Sequence, residues 1–414
     1  MRRLGSAVST LVSSLLLAGC GHLSGGFGLL GRDLAGPAQR PATESDAQQR
    51  LEADLGAGAA PDASAAERDA EDDSDLFERM RRGFSLPQVD DIRVRRELAW
   101  YAAHSAYLER TFDRGRRYLH HIVETLEERN MPLELALLPV VESAFDPFAR
   151  SPSLASGLWQ FIPSTGRRYG LDQDWWQDER RDVLAATRAA LDHLAELHEA
   201  FDGDWLLALA AYNAGEGSVR RAIEKNERRG LPTDFFHLDL RRETRAYVPK
   251  LLAIAELVAE PDLFGVEFPA IPNEPYFALV DTGDQVDLGL IADLAEIPRD
   301  ELRALNPEFK RWATAPYGPH QLLVPAPAKE RFEQVLSTLP PAKRLRFVRH
   351  VVRRGDTLAG IARQYRVPLE ALRSVNRVRG SLIHPGQDLL VPLAYTATTA
   401  AHPAPPRAAG EIQG

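Results

Sequence analysis

The chain has 414 residues, of which 44% are hydrophobic and 26% charged, so it has the composition of a globular protein of two or three domains. This composition excludes disorder throughout and a polytopic membrane protein. The single cysteine excludes an internal disulfide, a multi-cysteine zinc site and an iron–sulfur cluster. The net charge of −9 belongs to one segment, because residues 44–78 alone carry −10.

The amino terminus has the pattern of an export signal, in which a basic start precedes an apolar run from Leu4 to Ala18. Fifteen residues at about 1.5 Å rise cannot cross a hydrocarbon core of about 30 Å, so residues 1–19 are predicted to be a signal peptide. The run ends in Leu-Ala-Gly-Cys and resembles a bacterial lipoprotein signal, which implies a lipid on Cys20. An ordinary secretory signal with an incidental cysteine is the alternative. Gly21 implies, by the same resemblance, an outer-membrane lipoprotein that faces the periplasm.

Residues 20–86 are rich in Gly, Ala, Ser, Pro and acids and hold few large apolar residues. Such a segment cannot bury a core, so we expect a disordered acidic tether. From residue 87 to about 265, apolar residues recur at helical spacing, which predicts an all-α domain. Three of its helices are expected at Asp182–Phe201, Trp205–Ala214 and Arg245–Ala259.

An internal repeat follows the helical domain. The ten residues from Ile297 to Asn306 align without gaps with those from Val367 to Asn376, at an offset of 70. The pattern of strand, two short helices and strand predicts two βααβ modules, at residues 276–326 and 347–393, before a disordered tail at 394–414. The second copy contains Arg-Gly-Asp-Thr-Leu at 354–358, Ile-Ala at 361–362, Asn376 and Pro-Gly-Gln at 385–387. With these elements it resembles the LysM module, which implies binding to the N-acetylglucosamine backbone of peptidoglycan or chitin. The first copy lacks the Pro-Gly-Gln turn of the second, which leaves its sugar binding open.

The end of the chain is basic, since residues 341–393 hold eleven bases and three acids. Such a surface by itself would suggest nucleic acid. An exported, lipidated protein meets anionic cell-wall polymer and not DNA, so we expect no nucleic-acid partner. A solvated basic face without a partner is the alternative.

A candidate acid lies in the helical domain. Glu142 follows five nonpolar residues from Leu137 to Val141. Desolvation would raise the pKa of this carboxyl group, as a general acid near neutral pH requires. A surface glutamate at a helix end is the alternative.

Three further segments place polar residues among apolar ones. In Gly157–Ser164, two aromatic residues that could stack on a glycan flank Gln160, although a core-packing turn explains them equally well. In Ala210–Gly215, small residues let a ligand or a neighbouring helix approach Tyr212 and Asn213 closely. In Glu243–Lys250, Tyr247 lies at a helix start, where a simple capped helix is the alternative.

In this order, the motifs Glu-Ser, Gly-Leu-Trp-Gln-Phe, Ala-Tyr-Asn-Ala-Gly and Glu-Thr-Arg-x-Tyr-Val resemble the soluble-lytic-transglycosylase family. The resemblance implies a mainly α, goose-lysozyme-like catalytic domain, here joined to α+β LysM modules. It also implies that Glu142 is the catalytic acid/base and that Ser151 contacts substrate near the scissile bond. The residues implied to line the cleft are Gln160, Tyr212, Asn213 and Tyr247.

The implied reaction cuts the β-1,4 bond between N-acetylmuramic acid (MurNAc) and N-acetylglucosamine (GlcNAc) in peptidoglycan strands and leaves 1,6-anhydroMurNAc ends. It uses one carboxyl group and no cofactor or metal, and we expect a monomer. A hydrolytic muramidase, with Asp146 as a second carboxylate, is one alternative, although Asp146 more simply marks a turn. An inactive, lipid-anchored peptidoglycan-binding protein is the other.

Two histidine pairs are predicted to bind no metal. His193 and His198 are five residues apart, not the four that place both side chains on one helical face. His120 and His121 are predicted to lie on a helix surface.

Overall fold

The computed structural model describes residues 74–174, 176–345 and 347–392. The described chain begins with ten α-helices: α1 Leu76–Arg82, α2 Ile92–Ala102, α3 Ser105–Gly115, α4 Leu119–Glu128, α5 Leu138–Ser143, α6 Pro163–Arg168, α7 Val183–Ala200, α8 Trp205–Ala214, α9 Glu216–Glu227 and α10 Arg242–Ala259. Short 3₁₀ turns lie at Leu133–Leu137, Phe235–His237 and Pro261–Phe264. The three helices expected from sequence are confirmed as α7, α8 and α10, with ends shifted by up to three residues.

Aspartate side chains determine where the central helices begin. The Asp182 carboxylate accepts a hydrogen bond from the Ala185 N–H at the start of α7. At the start of α8, the Asp204 carboxylate accepts from the N–H groups of Leu206 and Leu207. These caps satisfy amides that have no partner within the helix.

Helix α8 lies at the centre of the helical domain. Its residues from Leu206 to Ala211 are all buried, as expected for a helix that is apolar on every side. Helix α10 packs against α8, α2 and α5, and its buried face runs from Thr244 to Val258. This packing brings the start of α10 to the end of α5, two segments about one hundred residues apart in sequence.

The structure corrects the carboxyl-terminal end of the expected tether. Within residues 20–86, helix α1 is part of the core, because Leu76, Phe77 and Met80 are buried. The Leu76 N–H donates to the Ile271 carbonyl oxygen at 2.8 Å, which ties α1 to the end of the helical domain. Residues 20–73 of the tether, the signal peptide and the tail at 394–414 lie outside the described residues.

Each copy of the repeat is a βααβ unit. The elements of the first are β1 Phe277–Asp281, α11 Leu288–Leu294, α12 Arg299–Leu305 and β2 Gln321–Pro325. Those of the second are β3 Phe347–Val351, α14 Leu358–Gln364, α15 Leu369–Asn376 and β4 Asp388–Pro392. The strands of each copy pair antiparallel, with Phe277 opposite Pro325 and Phe347 opposite Pro392. Helix α13, Lys329–Thr338, adds Phe332 to the first core and so extends this module beyond residue 326.

One asparagine performs the same structural role in both copies. The Asn306 amide donates to the carbonyl oxygens of Leu302 and Leu323 and accepts from the Leu323 N–H. Asn376 makes the same three bonds, at 2.7 Å each, with Leu372 and Leu390. Each asparagine therefore joins the second helix to the last strand. No helix in the described ranges is both long and apolar enough to span a bilayer.

Candidate active site

Glu142 lies in the last turn of α5, next to a strained backbone. Ala144 and Phe145 follow it with φ values of 50° and 54°, in the left-handed region that side chains disfavour. The turn is held because the Arg114 guanidinium donates to the Ala144 carbonyl oxygen at 2.9 Å and the Phe145 ring is fully buried. The hydrogen bond from Arg114 and the burial of Phe145 thus hold the helix end that carries Glu142.

The Glu142 carboxyl group has one hydrogen-bond donor among the described residues, the Tyr247 hydroxyl, which lies 2.5 Å from Oε1. Burial raises the pKa of Glu142 to about 7, although the bond from Tyr247 opposes the shift. The negative charge of Glu243 adds to the rise in pKa. Because desolvation dominates, this half-buried carboxyl group is populated in both protonation states near neutral pH.

Two tyrosines flank this carboxyl group. Burial and the nearby Glu142 charge raise the pKa of both Tyr247 and Tyr212 well above the ordinary value. Both phenols therefore stay protonated and act as donors. The Tyr212 hydroxyl donates to the Trp159 carbonyl oxygen at 3.0 Å, next to Gln160 in the chain.

Asn213 is oriented by a residue that the sequence reasoning missed. The Thr244 hydroxyl donates to its amide oxygen at 2.8 Å and is itself buried. Thr244 precedes Tyr247 by three residues, so both side chains lie on one face of α10. The Glu-Thr-Arg-x-Tyr-Val motif could have indicated Thr244, because its threonine and tyrosine are three residues apart, as residues on one face of a helix are.

Gln160 lies in a loop from Asp146 to Phe161, with its own φ at 49°. Its amide nitrogen donates to the Gly157 and Ala149 carbonyl oxygens at 2.8 and 3.3 Å, which closes the loop on itself. Gly157 adopts φ +82°, and a Cβ there would lie 2.3 Å from the Arg180 carbonyl oxygen. Only glycine fits this close approach.

Ser151 lies in the same loop. Its hydroxyl accepts from the Ala155 N–H at 3.0 Å and lies 2.8 Å from the Ser153 hydroxyl. Within the described ranges, no hydrogen bond joins Ser151 or Gln160 to Glu142. A link between loop and helix comes instead from Ser143, whose hydroxyl donates to the Leu158 carbonyl oxygen at 2.9 Å.

The two aromatic candidates for glycan stacking belong to the core. Trp159 and Phe161 are 1% and 3% exposed, and the Trp159 indole donates to the Thr187 hydroxyl at 3.1 Å. The core-packing alternative is therefore correct for this segment. His120 is also buried and not on a helix surface, because it packs beside Arg79 where α1 meets α4.

His193 packs against Tyr212 of the candidate site. Its Nδ1 lies 2.8 Å from the Tyr169 hydroxyl, and its ring lies 5.3 Å from that of Tyr212. Burial lowers the pKa of His193 to about 4, so the ring is neutral and packs against Tyr212. Among the residues the structure describes, no group of three or more His, Cys, Asp or Glu side chains forms a candidate metal site.

Asp146 lies on the surface after Glu142. Its carboxylate accepts from the Phe148 N–H at 2.9 Å, as in a turn. Asp146 therefore forms the turn that the sequence favoured for it.

Three family models match the sequence of this chain. The transglycosylase SLT domain matches residues 121–233, the LysM-like domain of lytic transglycosylase MltD matches 276–341, and the LysM domain matches 350–392. Peptidoglycan transglycosylase gp16 of Escherichia phage T7 is 36% identical over 28% of this chain and 8% of its own. A solved structure of lytic transglycosylase Slt from Pseudomonas aeruginosa has 25% identity over 35% of this chain and 24% of its own, with a TM-score of 0.26.

The similarity to one relative extends over most of both chains. Membrane-bound lytic murein transglycosylase D of Escherichia coli is 36% identical over 93% of this chain and 84% of its own length. This chain therefore belongs to the family of membrane-bound lytic murein transglycosylase D.

Proposed function

We propose that Glu142 is the acid and base with which this peptidoglycan lytic transglycosylase cuts the β-1,4 bond between MurNAc and GlcNAc. The observation that carries the assignment is the Glu142 pKa of about 7, together with the 2.5 Å bond from Tyr247. A general acid and base works best when its pKa lies near the working pH. A surface glutamate would have neither the raised pKa nor the buried tyrosine.

One carboxyl group suffices for the proposed reaction. Protonated Glu142 gives its proton to the glycosidic oxygen, and the bond from that oxygen to C1 of MurNAc breaks. The substrate's own 2-acetamido group stabilises the developing positive charge. The Glu142 carboxylate then takes the proton of the C6 hydroxyl, whose oxygen bonds to C1. The product is a 1,6-anhydroMurNAc end, no water is consumed, and Glu142 is protonated again.

The remaining residues have positioning and binding roles in this proposal. Tyr247 fixes the orientation of the Glu142 carboxyl group through its hydrogen bond. Tyr212 and Asn213 line the cleft, where Thr244 holds the Asn213 amide. Ser151 and Gln160 contact the glycan from their loop.

We also propose that Cys20 carries the lipid that anchors the chain to the outer membrane, so that the catalytic part works in the periplasm as a monomer. The support is the signal-like amino terminus and the membrane-bound relative. The second LysM module gives the chain its wall binding, and the GlcNAc backbone is its proposed ligand.

The test is the digestion of purified sacculi by the full chain and by Glu142→Gln, with the products identified by mass spectrometry. We expect anhydro ends from the native chain and no soluble product from the variant, which should still bind sacculi. Reducing ends would instead indicate the muramidase. A native chain that binds sacculi but releases nothing would be the inactive binding protein, and undiminished release by Glu142→Gln would refute the role of Glu142.

A further inference from the structure

The first LysM-like module is packed against the catalytic helices. The Arg117 guanidinium, after α3, pairs with the Glu301 carboxylate through Nε and Nη2 at 2.9 and 2.8 Å. The neighbouring Tyr118 hydroxyl donates to the Ala304 carbonyl oxygen at 2.8 Å, and Leu305 belongs to the catalytic core. Helix α12 is therefore docked on the turn between α3 and α4.

This docking reaches the loop that follows Glu142. The Arg303 guanidinium of α12 lies 5.4 Å from the centre of the Phe148 ring, which is between Glu142 and Ser151 in the chain. The α3 helix that ends beside Arg117 also packs its Gly115 against Phe145. One end of the loop from Asp146 to Phe161 thus rests on the module.

The other end of that loop depends on a second contact with the module. The Asp178 N–H donates to the Glu308 carbonyl oxygen at 2.9 Å, and the Lys310 N–H donates to that of Trp176 at 2.8 Å. Glu308 is buried at this contact, and burial together with the nearby Asp182 carboxylate raises its pKa well above the ordinary value.

Two arginines continue from this contact into the loop. Arg180 pairs with the Asp178 carboxylate at 2.9 and 2.8 Å and donates to the carbonyl oxygens of Leu154 and Phe161 at 2.6 and 3.0 Å. Arg181 donates to the Ser156 hydroxyl at 2.8 Å. The bonds to Leu154, Phe161 and Ser156 end on the loop that carries Ser151 and Gln160.

We propose that the first LysM-like module is a positioning element of the active site, in which Glu301 and the Lys310 N–H dock the module so that the Asp146–Phe161 loop keeps its shape. The inference rests on the proposed function, because it takes this loop to contact the glycan. A displaced loop loses contacts that hold the glycan in the ground state and the transition state alike, and such a loss raises KM.

A charge swap in the full chain tests the docking. Arg117→Glu and Glu301→Arg each place like charges at the contact, and the double variant restores opposite charges. On soluble, uncrosslinked glycan strands we expect each single variant to lower kcat/KM about tenfold, mainly through KM. The double variant should recover to within about threefold of the native value. Sacculus binding should stay unchanged, because the second module is untouched.

The split between KM and kcat separates positioning from damage. Partial unfolding would reduce the active fraction and hence kcat, with KM unchanged. That result, or single variants within twofold of the native kcat/KM, or a double variant no better than the singles, would overturn the proposal.

A second pair of variants probes the main-chain contact. Lys310→Pro removes the N–H that donates to Trp176, whereas Lys310→Ala keeps it and removes only the side chain, which donates to the Asp174 carbonyl oxygen. We expect Lys310→Pro to raise KM on soluble glycan and Lys310→Ala to change it much less. Equal KM values in variants with native melting temperatures would contradict the proposal. Glu142→Gln, assayed in parallel, tests the proposed function separately, because its loss of activity does not depend on the docking.

Discussion

The Tyr247 hydroxyl donates a 2.5 Å hydrogen bond to Oε1 of Glu142, and this bond opposes the effect of burial on the protonation of that carboxyl group. Burial disfavours the Glu142 carboxylate, whereas the hydrogen bond favours it, and the pKa lies at about 7. A carboxyl group poised there can give up a proton and accept one within a single reaction cycle.

The first prediction concerns the pH dependence of the reaction. Because Glu142 must be protonated when substrate binds, kcat/KM should be constant below about pH 7 and fall about tenfold per pH unit above it. The measurement is kcat/KM on soluble glycan strands across this range. A bell-shaped profile with a second carboxylate limb near pH 4 would favour a two-carboxylate hydrolase.

The second prediction concerns stability. The pKa of Glu142 is about 7 in the folded chain against an ordinary 4.5, so the folded state binds the proton more tightly than the unfolded state does. The stability from this carboxyl group is complete below about pH 4.5 and is lost as the pH rises through 7. The free energy of unfolding of Glu142→Gln should therefore be about 3 kcal/mol higher than that of the native chain at pH 8. At pH 4 the two values should be equal. Urea unfolding at both pH values checks this, and an equal difference at the two would contradict it.

The third prediction concerns Tyr247→Phe. Loss of its hydrogen bond removes an influence that lowers the pKa of Glu142, so the fall in kcat/KM should move to higher pH. A bond to a charged group is worth about 1.5–3 kcal/mol, and kcat should fall about tenfold or more. Tyr212→Phe is the matched control, because its hydroxyl donates to the Trp159 carbonyl oxygen and should leave the pH limb in place. The same shift in both variants would count against a specific role for Tyr247.

The fourth prediction compares two glycines with the same unusual backbone. Gly157 and Gly170 have φ values of +82° and +75°, but only at Gly157 would a Cβ meet another atom, the Arg180 carbonyl oxygen at 2.3 Å. Gly157→Ala should lower the free energy of unfolding by clearly more than about 1 kcal/mol and reduce turnover, whereas Gly170→Ala should show only the backbone strain. Thermal melts and glycan assays distinguish them, and similar losses would argue against the close approach.

The fifth prediction uses the repeated asparagine. Asn376→Ala removes three hydrogen bonds from the second module and should weaken sacculus binding while leaving turnover on soluble glycan intact. Asn306→Ala, which removes the same bonds from the docked first module, should instead reduce turnover on soluble glycan. Pull-down with sacculi and soluble-glycan kinetics check both variants. Reversed effects would contradict the division of roles between the modules.

Sequence patterns predicted features that depend on neighbouring residues. Helical spacing predicted α7, α8 and α10, because an amphipathic or buried helix repeats its apolar residues every three or four positions. The gapless offset of 70 likewise predicted two related modules, and β1 and β3 begin 70 residues apart, at Phe277 and Phe347. The apolar run before Glu142 predicted a desolvated carboxyl group.

The sequence by itself determined the element order, the repeat and the candidate acid. Only the tertiary structure decided that Trp159 and Phe161 pack in the core, and that Leu76 and Phe77 belong to the core and not to the tether. It also decided that α12 docks beside Phe148. The physical reason is the separation along the chain of the residues that interact. A periodic pattern reports which side of one element is apolar, whereas the 2.5 Å contact between Glu142 and Tyr247 exists because α10 packs across α5.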